Sequence, residues 1–327
     1  MIRTHQLYHQ FGTTPCLKGL NLEVEAGSIL GFLGPNGAGK TTTIRILTGL
    51  LRPTQGWASV NGVRVDQNLN ALRQILGYLP EEAPAYPEMR IQDFLDFVAG
   101  LKGLTPREIK KSVEQVLHEV DLHKDRLRLI GNISKGMRRR VGLAQALLGK
   151  PKVLILDEPT DGLDPAQIAL VRDLICNLKG KCTVFFSTHI LPNVIETCTH
   201  VAILSRGYLI SQGTIAEIES SKNSVLEITC NAGNYPANPL KNAAEAKGFR
   251  VVHSEKTPHG WLVQLQVNDD LLSNRASIMR SLMDEGLELQ EFKLLRPSLE
   301  DIFLQAISAP EGQASLESTS AKQEVVA

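Results

Sequence analysis

The sequence predicts an α/β fold over residues 1–220, followed by a smaller α+β domain over residues 222–308. Three observations support this prediction. In the first part, strand and helix patterns alternate and are separated by glycine-rich turns. In the second part, a new block of short strands and helices follows. The final residues, 309–327, are small and polar, which predicts a disordered tail.

Composition and charge limit the class of protein. Of the 327 residues, 43% are hydrophobic, and 35 basic residues balance 35 acidic ones. The apolar fraction supports a packed core, and the absence of a basic excess argues against a dedicated nucleic-acid binder. The sequence has no apolar run of the ~18 residues that a membrane span needs, and its polar start predicts no signal peptide. The five cysteines are scattered and form no Cys-x-x-Cys pair, so we expect a reduced, cytosolic protein.

A phosphate-binding loop is predicted at residues 34–41, where GPNGAGKT fits the pattern G-x-x-x-x-G-K-[ST] between a strand pattern and a helix pattern. Glycines let the backbone fold closely around a triphosphate, and the helix N-terminus favours its negative charge. We expect Lys40 to reach the β- and γ-phosphates and Thr41 to ligate Mg²⁺. The residues predicted to bind nucleotide here are Gly34, Pro35, Asn36, Gly37, Ala38, Gly39, Lys40, Thr41 and Thr42.

Acidic residues end a second apolar strand pattern, residues 153–156, which runs into Asp157 and Glu158. The carboxyl ends of parallel strands line the ligand crevice of α/β proteins. We therefore expect Asp157 to hold Mg²⁺ and Glu158 to accept a proton from the attacking water. A third apolar strand, residues 183–186, leads to His189, which is predicted to reach a γ-phosphate in the same crevice.

The block over residues 222–308 has the element order β-α-β-β-α-β of the split βαβ, or ferredoxin-like, fold. Alternating apolar residues predict its strands, and glycines mark the ends of its two helices. A last short helix is predicted to begin after Ser298, which would be its N-cap. The predicted strands and helices span, in order, residues 225–230, 240–247, 249–252, 261–267, 276–284 and 287–295.

Together, the motifs of residues 1–220 resemble those of the nucleotide-binding subunit of an ATP-binding cassette (ABC) transporter. The discriminating element is ISKGM at residues 133–137, which is similar to the family signature LSGGQ and stands just before a helix pattern. The resemblance implies a P-loop NTPase cassette with a helical subdomain at about residues 85–150. The other family elements that the sequence resembles are Walker A at residues 34–41, Walker B at 153–158, the D-loop at 162–164 and the switch histidine at His189.

The resemblance also implies an ATPase that works as a head-to-tail homodimer. Each ATP would lie between the Walker motifs of one subunit and the signature of the other. Glu158 and His189 would be the catalytic residues, and Mg²⁺ would be held by Thr41, Glu81 and Asp157. Phe11 would stack on adenine, and the signature would donate to a γ-phosphate across the interface. The further nucleotide contacts that the resemblance implies are Phe11, Ser134, Gly136 and Asp164.

Three positions depart from the family pattern: Lys135 and Met137 in the signature, and Glu81 where a glutamine is usual. These variants, and the ending PSLEDIF at residues 297–303, are similar to the branch that drives export-type permeases, including drug, polysaccharide and gliding-motility systems. The resemblance thus implies a cytoplasmic protein on the inner face of the cell membrane, bound to a polytopic permease on a separate chain.

Two sequence features outside these motifs are given mainly structural interpretations. Apolar residues over 86–98 have helical spacing; most are expected in the core, and their position after Glu81 makes them a candidate groove for a permease helix. Three consecutive arginines at residues 138–140 are interpreted as a charged helix face next to phosphate.

Two alternative functions stay open. A soluble ABC ATPase acting on ribosomes or DNA usually has two cassettes, a long coiled-coil insertion or zinc cysteines. This sequence has one cassette, and the distance from Lys40 to Asp157 leaves room for a helical subdomain but not for a long coiled coil. A binding-only module with weak turnover is the other alternative, because Glu81 and Lys135 depart from the family pattern.

Overall fold

In the computed structural model, the described chain divides into two units: one is Met1–Ile215 with residues 305–308, and the other is Ala216–Leu304. The predicted tail, and most of the helix predicted at residues 276–284, lie outside the described residues. The domain limits given above, including that of the helical subdomain, stay predictions. The structure describes residues 1–82, 85–221, 224–231, 239–246, 249–257, 260–267, 279–280, 282–283, 288–295 and 298–308.

Two sheets build the first unit. In chain order their strands are β1 (Ile2–Phe11), β2 (Thr14–Val24), β3 (Ile29–Leu33), β4 (Gln55–Val60), β5 (Val63–Arg64), β6 (Leu76–Leu79), β7 (Val153–Asp157), β8 (Thr183–Thr188), β9 (His200–Ser205) and β10 (Tyr208–Thr214). One sheet is antiparallel, in the order β2-β1-β4-β5. The other has the order β10-β9-β3-β8-β7-β6, in which only β10 is antiparallel to its neighbour.

The central strands of the six-stranded sheet explain the continuous apolar runs of the sequence. Every residue of β3, β7 and β8 is buried, and strands covered on both faces have no polar side to alternate with. Their register pairs Asp157 with Ser187 and Leu33 with Thr188. The residues that follow these three strands therefore meet at one edge of the sheet. The α/β fold predicted for this part of the chain is confirmed.

Helices connect these strands. They are α1 (Lys40–Leu47), α2 (Leu69–Ile75), α3 (Ile91–Leu101), α4 (Pro106–Glu119), α5 (Lys135–Leu147), α6 (Pro165–Cys176) and α7 (Leu191–Thr197). Local sequence sets their starts: Thr105 and Glu108 form a capping box on α4, and the Ser134 hydroxyl caps α5. Helices α3, α4 and α5 pack on one another through buried apolar side chains such as Phe94 and Leu117. Within the described ranges, no helix has the length and apolar character needed to cross a bilayer.

The second unit confirms the ferredoxin-like prediction through its sheet order. The elements that lie in it wholly or in part are α8 (Ile215–Ser221), β11 (Ser224–Asn231), α9 (Pro239–Ala246), β12 (Arg250–Thr257), β13 (Gly260–Val267), β14 (Leu289–Leu295) and α10 (Leu299–Ser308). The strands form one antiparallel sheet, β12-β13-β11-β14, so β13 lies between the two strands of the first βαβ unit. Ser298 caps α10 as predicted, because its hydroxyl accepts the Asp301 N–H at 3.2 Å.

Candidate nucleotide-binding and hydrolysis site

The predicted phosphate loop lies between β3 and α1, as its pattern requires. Two of its glycines cannot be replaced without strain. A Cβ on Gly34 would lie 2.5 Å from the Leu204 carbonyl oxygen, and Gly39 has a φ of +108°. Asn36 and Gly37 are exposed at the tip of the loop, whereas Ala38 is buried. The loop can therefore present its main-chain N–H groups to an anion at the start of α1.

Lys40 is already folded into this loop. Its side chain is buried, and its Nζ donates to the carbonyl oxygens of Gly34 at 2.7 Å and Pro35 at 3.2 Å. The same Nζ lies 3.5 Å from Oε1 of Glu158. Helix α1 thus supplies a positive charge at the edge of the sheet where the acidic residues of β7 also lie.

Thr41 and Thr42 open helix α1 with different surroundings. Thr41 is partly exposed, whereas Thr42 is buried, and its Oγ1 lies 3.1 Å from Sγ of Cys16 on β2. Because Phe11 pairs with Thr14 at the end of the β1–β2 hairpin, strand β2 brings the tip of that hairpin towards the loop. The Phe11 ring is 51% exposed and is therefore available to a ligand.

Asp157 is held in place by a hydrogen bond from Ser187 on the neighbouring strand β8. Its carboxylate is buried, and Oδ1 accepts a hydrogen bond from the Ser187 hydroxyl at 2.6 Å. The same hydroxyl accepts the main-chain N–H of Glu158 at 3.1 Å. Burial raises the pKa of the Asp157 carboxyl above its ordinary value, and the hydrogen bond from Ser187 works against this shift.

Glu158 is the point where the predicted catalytic residues meet. Its buried carboxylate lies 3.5 Å from Lys40 Nζ, and both of its oxygens lie 3.2 Å from His189 Nδ1. Its backbone has a φ of +47°, a left-handed conformation that costs about 1 kcal/mol or more for a residue with a side chain. The structure therefore joins the phosphate loop, β7 and β8 through one carboxylate.

The signature residues form a separate group at the start of α5. The Ser134 hydroxyl accepts the Met137 N–H at 3.2 Å, and a Cβ on buried Gly136 would lie 1.8 Å from Oε1 of Gln167. Asp164 caps α6 by accepting the Gln167 N–H at 2.9 Å. Among the described residues, no hydrogen bond or ion pair joins this group to the phosphate loop.

Glu81 follows β6, one strand further along the same edge. Its side chain is exposed, and its main-chain carbonyl accepts a hydrogen bond from Arg139. Its predicted part in holding Mg²⁺ therefore stays a prediction.

Two residues of this site were not predicted from the sequence. One is Ser187, although a polar residue near the end of a buried strand, two residues before His189, indicates a contact at the site. The interpretation of residues 138–140 as a charged helix face next to phosphate is wrong for Arg139, which is 7% exposed and bonded to main-chain carbonyl groups. A periodic reading would have found it, because the buried positions of α5 include Gly136, Arg139, Leu143 and Ala146.

Comparison with known proteins agrees with this geometry. The family described as ABC transporter matches residues 17–161, and the family described as ATP-binding protein DrrA1-3-like, C-terminal domain, matches residues 212–307. The chain is 33% identical to the ABC transporter ATP-binding protein YxlF of Bacillus subtilis over 94% of its length and 100% of that protein. It is 30% identical to the bacitracin transport ATP-binding protein BcrA of Bacillus licheniformis over 94% of its length and 97% of that protein.

A solved structure extends the comparison to the fold. The ATP-binding subunit of an ABC transporter matches with a TM-score of 0.63 and 30% identity, covering 68% of this chain and 92% of that one. Fold and site thus define a P-loop ATPase cassette with an accessory α+β domain. The chain belongs to the ABC transporter ATP-binding proteins, whose ATP hydrolysis is coupled to transport. This family binds ATP, normally with Mg²⁺. The expected ATPase function in transport is confirmed, and the comparisons give the ribosome or DNA alternative no support.

Proposed function

We propose that this chain hydrolyses Mg²⁺-ATP as one half of a head-to-tail homodimer and thereby drives export through a separate polytopic permease. The observation that carries the proposal is the Glu158 carboxylate, held between Lys40 and His189 and directly beside Asp157. This arrangement places a proton acceptor, a phosphate-binding cation and a metal-binding carboxylate at one edge of the sheet.

The residues present fit a Mg²⁺ ion. Asp157 is a buried carboxylate whose described side-chain partner is one hydroxyl, and Thr41 offers a partly exposed hydroxyl in the first turn of α1. Hydroxyl and carboxylate oxygens are the ligands that Mg²⁺ prefers. In the proposal, Thr41 and Asp157 hold the ion with Glu81, and the ion neutralises charge on the phosphates.

The remaining roles follow from the position of each side chain. Residues 34–42 wrap the phosphates, and the Lys40 ammonium neutralises part of their charge. Glu158 takes the proton of the attacking water. His189 bonds the Glu158 carboxylate and thereby orients that carboxylate. Phe11 stacks on adenine from the hairpin tip.

The dimer completes the site. Ser134 and Gly136 open helix α5, so their polar groups can donate to a γ-phosphate that a second chain presents. Because no described hydrogen bond or ion pair joins these residues to the phosphate loop of the same chain, the proposal assigns this contact to the signature of the partner. Asp164 contacts nucleotide in the same interface. Light scattering tests this part: Glu158→Gln with Mg²⁺-ATP is expected to have twice the monomer mass, and a monomer under those conditions would contradict the dimer.

A cavity of about 770 Å³ offers the permease a docking groove. Its lining combines polar and charged side chains with apolar residues that include Leu50, Tyr78, Pro80, Val98 and Leu101, of which Leu50 and Leu101 are 65% and 72% exposed. Of the range 86–98, Ile91, Phe94 and Leu95 are buried in the core, as expected for most of its apolar residues, whereas Val98 lines the cavity. In the proposal, a permease segment fills the cavity and keeps the chain on the inner face of the cell membrane.

Capture of the partner tests the transport role. The full chain with Glu158→Gln, trapped with Mg²⁺-ATP, would be used to pull partners from detergent-solubilised membranes for mass spectrometry. We expect a polytopic membrane protein in stoichiometric yield, lost with Leu101→Asp in the groove and retained with Ile195→Asp, a matched exposed residue on α7. Ribosomal proteins or DNA-repair factors without a membrane partner would contradict the proposal.

A further inference from the structure

Arg139 is a buried cation for which the reaction as described above has no use. It lies on helix α5, five residues after the capping Ser134, and only 7% of it is exposed. Its neighbours differ: Arg138 is exposed, and Arg140 bonds the carbonyl oxygen of Asp121 at 2.8 Å. A buried arginine without a role would be costly, because a charge removed from water needs full compensation.

Main-chain carbonyl groups supply that compensation. Nη1 donates to Pro80 at 2.9 Å and Nε to Pro159 at 3.2 Å. The described carbonyl acceptors of the guanidinium are those of Pro80, Glu81, Asp157, Glu158 and Pro159. The planar guanidinium can bond several acceptors at fixed angles, which the smaller head of a lysine cannot reproduce.

These acceptors belong to two loops that follow neighbouring strands. Pro80 and Glu81 follow β6, and Asp157, Glu158 and Pro159 lie at the end of β7. Strands β6 and β7 are paired in parallel, so both loops leave the same edge of the sheet. One side chain from the signature helix therefore fastens both loops.

The attachment matters most at Glu158. Its backbone is in the left-handed region with a φ of +47°, which persists only when surrounding contacts enforce it. Ser187 accepts its N–H, and Arg139 binds its carbonyl group, so both main-chain polar groups of Glu158 are held. The direction in which the Glu158 carboxylate points follows from that backbone conformation.

We propose that Arg139 is a positioning residue for hydrolysis: it locks the backbone of Glu158 and ties it to the Pro80–Glu81 loop beside the groove. The inference rests on the proposed catalytic role of Glu158. Because Arg139 bonds main chain and not the phosphate loop, its loss should lower turnover far more than ATP binding.

A double-mutant cycle on the full-length chain tests this role. Arg139→Gln is expected to lower kcat about tenfold or more while KM for ATP changes less than about threefold. In a Glu158→Gln background, the same change should leave the residual rate unaltered, since Arg139 acts through Glu158. Arg139→Lys should restore little of the lost kcat, since lysine cannot bond the same carbonyl groups. Arg138→Gln, at an exposed neighbouring position, is the control and should keep the wild-type kcat.

Hydrogen exchange shows whether the variant keeps its fold. Faster exchange confined to residues 80–82 and 158–161 is expected, with α4 protected as in the wild type. Equal loss of rate in both backgrounds, or a rise in KM that matches the fall in kcat, would overturn the inference. If Glu158→Gln alone left the rate unchanged, the proposed function would fail instead.

Discussion

Ser187 is predicted to hold Asp157, the last residue of β7, and Glu158, the residue after it, in position. Its hydroxyl is completely buried, donates to Asp157 at 2.6 Å and accepts the Glu158 N–H at 3.1 Å. Ser187→Ala removes both bonds and adds no bulk. A hydrogen bond to a charged group contributes about 1.5–3 kcal/mol, and a buried N–H left unpaired costs about 1–3 kcal/mol. We therefore expect the free energy of unfolding to fall by about 2–4 kcal/mol.

The loss should depend on pH in a defined direction. Burial raises the pKa of Asp157 in the folded state, and the Ser187 bond opposes that rise. Without the bond, the folded pKa rises further above the unfolded value of ~3.9. A raised carboxyl pKa lowers stability as pH increases through it, because the unfolded chain loses its proton first. The difference between Ser187→Ala and wild type should thus be largest at neutral pH and shrink in acid.

Urea unfolding followed by tryptophan fluorescence measures the free energy of unfolding of the first unit. In a Trp261→Phe background, the fluorescence comes from Trp57 on β4 of that unit. Ser205→Ala, a buried serine at the end of β9, is the control, and we expect it to cost about 1 kcal/mol or less. If Ser187→Ala were no less stable than Ser205→Ala, the coupling of Asp157 and Glu158 through this hydroxyl would be refuted.

Two further predictions concern the loop and the helical part. Gly39→Ala should abolish ATP binding and lower stability by about 1–3 kcal/mol, since its Cβ would lie 3.1 Å from the Cys16 carbonyl oxygen at a φ of +108°. Titration with a fluorescent nucleotide measures this, and Gly12→Ala, with open space around its Cβ, should still bind. Burial lowers the pKa of Lys102, which donates to the Leu148 carbonyl group at 2.8 Å, to about 8. The ammonium therefore costs stability below that pH. Between about pH 8 and 10, the free energy of unfolding of wild type should rise relative to that of Lys102→Met by up to about 1.4 kcal/mol per pH unit. Urea unfolding measures both, and the same pH dependence in the two proteins would contradict this.

Local patterns were sufficient to predict much of the fold. The loop at residues 34–41 and the acids after β7 were identified because a strand end, a glycine-rich turn and a helix start are adjacent in sequence. The second unit was recognised because the order of its elements allows few sheet arrangements. These inferences needed no knowledge of which side chains touch.

The missed features depend on contacts between distant segments. The left-handed backbone of Glu158 is enforced by Ser187 and Arg139, which lie far from it in sequence. The burial of Arg139 follows from the packing of α5 on β6, and a run of three arginines gives no sign of it. Likewise, helical spacing predicts that most apolar residues of 86–98 are core, but which of them line a groove depends on which side of α3 meets the core.

Steady-state phosphate release from the purified full chain tests whether Glu158 is the proton acceptor for ATP hydrolysis. Wild type, Glu158→Gln and Glu25→Gln would be compared at saturating Mg²⁺-ATP; Glu25 is an exposed acid before the opposite end of β3. We predict that Glu158→Gln lowers the rate by about a hundredfold or more while it still binds ATP, and that Glu25→Gln matches wild type. Turnover by Glu158→Gln at the wild-type rate would contradict the assignment, and a wild type that binds ATP without releasing phosphate would favour a binding-only module.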